Sequence, residues 1–254
     1  MQYSGLFVVF ALIGAVYGQI PIPSKPLGFS YGLGNKSAPI QLSTFLGPLC
    51  PDSQNAFPTL LKVADYYGPD RVRLITHLFP LPYHRNAFLA AKGAQITNVL
   101  SSGNSTYSWM TAVYSNLAAF SNDVTHDKTE KQVQDMFASM AKTLNLDQTK
   151  FNTMYKDSGI EEATRLDWKY TATRGVAWTP AFMINDVLIQ AEPTWTLEDW
   201  KKVIDSLLGR QRPSTNRETQ SACKSGTKTC EYLPGKIECC TKGEACIPNV
   251  GCRC

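Results

Sequence analysis

One cysteine, Cys50, stands apart from the other seven in the chain and is followed by Pro51, Asp52 and Ser53. It comes just after an apolar run that ends in the breaker pair Gly47-Pro48. An apolar pattern of helical period follows it, with Phe57, Leu60, Leu61 and Ala64. Pro51 suits a first helical position, where its missing N–H costs nothing, and Asp52 suits the positive end of a helix dipole. Cys50 therefore falls at a helix N-cap on a strand-to-helix corner. Unsatisfied backbone N–H groups at such a corner favour the thiolate, the form of cysteine that attacks disulfides. The Asp52 carboxylate opposes this by its charge. The competing reading is an inert structural cysteine, and the corner position argues against it.

The elements that must hold this corner follow from periodicity. Residues 38–46 read as a buried strand (Ile40, Leu42 and Phe45 apolar), and residues 71–79 as a second, closed by Phe79-Pro80-Leu81-Pro82. From Asn86 to Gly175 the pattern is helical. Thr129 and Gln132 form a capping box ahead of Val133, Met136, Phe137 and Met140. Asp147 opens a short helix that Gly159 is expected to end, and a further helix stops at Gly175. Ala181–Ile184, the turn Asn185-Asp186 and Val187–Gln190 read as a hairpin. Thr196 caps a last helix, Leu197–Leu208, ended by Gly209. This order predicts an α/β sheet with a helical insertion over about residues 86–175.

Composition sets the surroundings. Residues 1–18 read as a signal peptide, with an apolar stretch Leu6–Val16 too short to span a bilayer and small residues Val16 and Gly18 before the cut. Residues 19–37 form a Pro/Gly-rich extended arm, residues 38–209 the main domain and residues 210–222 a polar linker. Residues 223–254 hold the other seven cysteines, as Cys223, Cys230, Cys239, Cys240, Cys246, Cys252 and Cys254. A dense cysteine segment behind a leader implies an oxidising compartment and disulfides. The sequons at Asn35 and Asn104 fit that route. There is no Lys-Asp-Glu-Leu-type ending, so secretion is expected over retention. A formal charge of only +4 points to neither nucleic acid nor an anionic membrane as partner. His77, His84 and His126 show no metal-ligand spacing, and the cysteine segment lacks both His and a Cys-x2-Cys pair, so no metal site is expected. Packing in the core or a groove accounts for Trp178, Trp195 and Trp200.

The strand, Cys50-Pro51 at a helix start and Thr179-Pro180 before a hairpin together resemble thioredoxin-fold oxidoreductases. The helical insertion, the segments His77–Leu81 and His84–Ala91, and Gly175–Phe182 resemble the DsbA-like members. The resemblance spans roughly Ala38–Leu208 and implies a thioredoxin-like sheet with a cis peptide before Pro180, lying against Cys50. It also implies that the Thr179 backbone pairs with an extended substrate chain. It is the only ground for expecting His84 near Cys50.

The chain departs from the family's Cys-x-x-Cys pattern, because Ser53 stands where the second cysteine would be. No internal disulfide can form at that corner. One thiolate can still attack a substrate disulfide, and a second thiol, from substrate or from glutathione as co-substrate, must resolve the product. Ser53 is expected to hydrogen-bond the thiolate. The expected activity is single-thiol exchange or isomerisation on protein thiols and disulfides. The rival is a non-catalytic secreted binding protein whose specificity lies in the cysteine-rich segment, and a glutathione-transferase relative is a weaker third reading. The segment resembles knottin-like modules, which need covalent staples because some thirty residues bury too little. Knottin-like spacing uses six of its seven cysteines, with either Cys252 or Cys254 as the sixth. Cys254 is expected to be the spare, open to pairing with Cys50, linking a second chain in a disulfide-linked dimer, or capping by a small thiol.

Overall fold

The computed structural model describes residues 22–32, 34–210, 227–233, 236–241, 245–247 and 251–253. The expected signal peptide, the linker from residue 211 onward, Cys223 and Cys254 lie outside these residues. The chain forms two compact units, the first ending at Leu208 and the second beginning at Gly209.

The first unit is built on five strands: β1 (Phe29–Ser30), β2 (Ile40–Leu46), β3 (Val72–Leu78), β4 (Ala181–Ile184) and β5 (Val187–Ile189). Their order is β1-β3-β2-β4-β5, with β2 and β3 parallel and the other pairs antiparallel. Helix α1 (Pro51–Tyr67) joins the two parallel strands. Helices α2 (Ala87–Leu100), α3 (Thr106–Ser115), α4 (Asn122–Thr125), α5 (Glu130–Thr143), α6 (Gln148–Met154) and α7 (Ser158–Thr173) form the insertion, and α8 (Leu197–Arg210) follows the hairpin.

The period of two divides the sheet cleanly. Ile40, Leu42 and Leu46 of β2, Leu74 and Leu78 of β3, and Phe182 and Ile184 of β4 share one core with α1 and the insertion, and with Trp200 and Ile204 of α8. The alternate residues Phe45, Ala181 and Met183 form a smaller core with Phe79, Leu81, Val176 and Tyr170 on the opposite face. Trp200 is thus a core residue, while Trp178 is 50% exposed beside the hairpin's entry. The capping box at Thr129 and Gln132 and the reciprocal Thr196–Asp199 bonds open α5 and α8 as their residue types dictate.

Two expectations need correction. The N-terminal arm is not wholly outside the sheet, since Phe29 and Ser30 pair with Thr76 and Ile75 as an edge strand. Gly159 does not end α6. That helix stops at Met154, and the Asp157 carboxylate caps the next by accepting from the Gly159 and Ile160 N–H groups, so Gly159 lies in the first turn of α7. Glycine reads as a terminator only where no acidic cap sits two residues ahead of it.

The second unit is small and disulfide-rich. Strands β6 (Lys228–Leu233) and β7 (Lys236–Cys240) pair antiparallel, as do β8 (Ala245–Ile247) and β9 (Gly251–Arg253). Disulfides join Cys230 to Cys246 and Cys240 to Cys252, and Cys239 is also disulfide-bonded. The half-cystines Cys230, Cys240 and Cys252 are the unit's buried core among the described residues. Of the two cysteines that could fill the sixth bridging position, Cys252 is bridged.

Candidate active site at the Cys50 corner

Cys50 is the N-cap of α1, with the backbone extended at φ −90° and ψ 125°. It is a free cysteine, 6% exposed, at the C-terminal end of β2. The Thr179–Pro180 peptide is cis, and the Cys50 thiol donates to the Thr179 carbonyl at 3.3 Å. The β2–β4 ladder, with Phe45 opposite Ala181, brings these two loops together.

Gly47 is the close point of this meeting. A Cβ there would sit 2.6 Å from Thr179 Oγ1 and 2.7 Å from Cys50 Cβ, which leaves room for no larger residue. The Thr179 hydroxyl is buried without a hydrogen-bond partner among the described residues.

Ser53 lies in the first turn of α1 and reaches back to the loop before Cys50. Its side chain is fully buried, and its Oγ accepts the Gly47 N–H at 3.0 Å. The Tyr114 hydroxyl donates to the carbonyl of the same residue, Gly47, at 3.1 Å. Ser53 and Tyr114 thereby hold the two peptide groups of Gly47, its N–H and its carbonyl, in a ring of three residues. Burial pushes the Tyr114 hydroxyl far above its ordinary range, the nearby Cys50 adds to this, and the Ser53 hydroxyl opposes it. The tyrosine therefore stays neutral.

Neither Tyr114 nor the role of Gly47 was visible in the sequence. Tyr114 lies in the insertion, 67 residues from its partner, and Gly47 read only as a strand breaker. A Tyr114→Phe variant removes the donor to the Gly47 carbonyl and is expected to loosen the ring, freeing the Ser53 hydroxyl to turn to the sulfur. A hydrogen bond to a charged acceptor worth about 1.5 kcal/mol corresponds to roughly tenfold faster Cys50 alkylation at fixed neutral pH. Tyr107→Phe, which removes another buried hydroxyl bonded at 2.8 Å to Phe29, serves as the control and should leave that rate alone. Equal rates for Tyr114→Phe and wild type would show that the ring does not restrain Ser53.

His84 stands on the loop between β3 and α2. It packs edge-on against Tyr83 and lines a pocket with Trp168, and among the described residues no hydrogen bond joins it to Cys50. His77 is buried on the sheet's other face, where Nδ1 donates to the Asp167 carboxylate at 2.7 Å and the ring stacks between Phe45 and Tyr170. The asparagines of the two sequons differ. Asn35 is partly buried and spends its side chain on Asp70 and the Ser37 N–H, whereas Asn104 is exposed in a turn before α3.

A family model described as thioredoxin matches residues 29–206. Among solved structures, a Pseudomonas syringae protein provisionally assigned as a protein-disulfide isomerase superposes with a TM-score of 0.62 at 23% identity, covering 70% of this chain and 97% of that one. α-DsbA1 of Wolbachia pipientis gives 0.58 at 20% identity, covering 75% and 94%. DsbA2 of Pseudomonas aeruginosa gives 0.57 at 18% identity, covering 75% and 100%. No curated protein matches the chain. The first unit thus shares the architecture of DsbA-like proteins, and its family match runs from β1 into α8. On that match, the chain belongs to the thioredoxin family.

Proposed function

We propose that the protein catalyses thiol–disulfide exchange on polypeptide substrates with Cys50 as its single nucleophile, in an oxidising compartment reached by export. The observation that carries this reading is the free thiol at a helix N-cap, bonded to the carbonyl of the residue before a cis-proline. The leader-like residues 1–18 and the bridged second unit support the compartment.

The step is balanced within the reacting sulfurs. The Cys50 thiol gives its proton to solvent, and the thiolate attacks one sulfur of a substrate disulfide. A new S–S bond forms as the old one breaks, and the departing sulfur leaves as a thiolate with the electron pair. A second thiol, from the substrate or from glutathione, then attacks the mixed disulfide and releases Cys50. No net oxidation occurs, so the chemistry suits isomerisation.

The resting geometry couples binding to activation. The Thr179 carbonyl that accepts the Cys50 thiol is a backbone group that an added substrate strand would use. An incoming substrate N–H competes for that oxygen and frees the thiol to ionise. Recovery of scrambled ribonuclease in a glutathione buffer tests the reading. Wild type should accelerate it and Cys50→Ser should fall to the uncatalysed rate, whereas equal rates would overturn the reading and favour a binding role.

A further inference from the structure

We propose that a cationic pocket between the β3–α2 loop and α7 is a second contact site, which binds acidic segments of the polypeptides that bring their disulfides to Cys50. That these polypeptides are substrates rests on the exchange reading above. The pocket itself does not.

The cavity has a volume of about 380 Å³. Its polar lining is His84, Arg85, Arg165 and Lys169, and no carboxylate lines it. The Arg85 guanidinium is held rigidly, donating to the carbonyls of Thr125 at 3.0 Å and of His126 and Lys128 at 2.9 Å each, and these bonds leave its charge uncompensated. Arg165 meets Glu161 at 2.6 Å, but that carboxylate is shared with Lys92 at 2.9 Å, so one anion faces two cations. Lys169 has no ion pair among the described residues. Burial holds the His84 imidazole below its usual range, so near neutral pH it is a hydrogen-bonding group and not a fourth charge. A concave surface of one sign focuses its field on an entering anion. Guanidinium groups pair with carboxylates through two parallel bonds.

The rest of the lining decides in favour of a peptide over a small inorganic anion. Pro80, Leu81, Pro82, Phe88 and Trp168 make the other walls apolar. Trp168 is 40% exposed, yet its ring is fixed by stacking on Phe79 at 5.6 Å and 22°. An exposed aromatic held rigid beside fixed charges is built for a chain that carries both apolar and acidic side chains.

Its position ties it to the nucleophile. The Phe79 N–H donates to the Leu46 carbonyl at 2.9 Å, so the pocket's first wall residue, Pro80, follows from the strand end beside the Gly47–Cys50 loop. In the sheet, β2 lies between β4 and β3. A chain that pairs with Thr179 before β4 and crosses Cys50 at the end of β2 therefore runs on toward the end of β3, where the pocket opens.

Calorimetric titration of the full-length Cys50→Ser protein with a blocked Glu-Glu-Phe-Glu peptide tests this, with its Gln-Gln-Phe-Gln counterpart as control. Saturable binding of the acidic peptide alone is expected. Since both side chains are exposed and outside the core, Arg165→Glu with Lys169→Glu should leave the fold intact and weaken binding roughly tenfold or more. The milder Arg165→Gln with Lys169→Gln should weaken it by less, and salt at about 0.5 M should weaken wild-type binding. Equal binding of both peptides, insensitivity to the charge reversals in a folded protein, or no saturable heat at millimolar peptide would each overturn the inference. The titrated protein has no Cys50 thiol, so these outcomes are independent of whether the wild type exchanges disulfides.

Discussion

A Ser53→Cys variant is expected to convert a protein without dithiol redox activity into one that reduces insulin measurably. Wild type has one thiol at the corner and cannot leave a mixed disulfide by internal attack, so in the insulin precipitation assay with dithiol reductant it should not exceed the uncatalysed rate. A thiol at position 53 lies one helical turn from Cys50, the spacing at which a second cysteine closes a ring with the first. The gain carries a structural cost. Ser53 is wholly buried and accepts the Gly47 N–H. Sulfur is a weaker acceptor and a larger atom, so the reduced variant should be less stable than wild type by about 1–3 kcal/mol, the penalty for a poorly satisfied buried donor. Thermal unfolding of the reduced and oxidised forms measures this term separately from the activity. A folded variant with both thiols alkylatable and no reductase activity would show that the Gly47–Ser53–Tyr114 ring holds position 53 away from Cys50.

Removal of the Asp167 carboxylate should be among the most damaging single changes in the first unit. Asp167 is 2% exposed, and its two oxygens accept from His77 Nδ1 at 2.7 Å and from the Leu78 N–H at 3.0 Å. Asp167→Ala leaves both donors buried and unmet, at about 1–3 kcal/mol for each. A loss of roughly 2–6 kcal/mol in denaturant unfolding follows from that sum. Asp167→Asn keeps an acceptor oxygen and should recover about half of it. The damage should reach the active corner, because the Leu78 N–H it anchors lies one residue before Phe79, whose own N–H holds Leu46. Exchange activity per folded molecule is therefore expected to fall as well. An Asp167→Ala protein within about 1 kcal/mol of wild type would mean that water satisfies both donors.

Much of the scaffold was legible because its signals are local. Strands β2 to β5, the α1 N-cap at Cys50, the Thr129 and Thr196 caps and the Asn185-Asp186 turn rest on side-chain period or on residues within three positions of one another. Asn185 and Asp186 both take positive φ, 49° and 65°, which suits a tight turn between antiparallel strands and is the kind of demand that residue type reveals. The edge strand β1 escaped notice because two residues carry no period. Gly159 misled because a glycine inside a first turn and a glycine after a last turn look the same without the cap that precedes them.

The site divides along the same line. Residue type and spacing by themselves determined that one cysteine sits at a helix start, that its usual partner position holds serine, and that a second group of cysteines would be stapled together. Tertiary structure alone decided what those residues touch. The bond from Cys50 to Thr179 joins positions 129 apart, that from Tyr114 to Gly47 joins positions 67 apart, and the His77–Asp167 pair spans 90. No local propensity encodes such contacts. They arise when the insertion folds back over the sheet, and the direction of a buried hydroxyl is then set by whichever donor or acceptor it meets there. This is why the Ser53 oxygen accepts the Gly47 N–H.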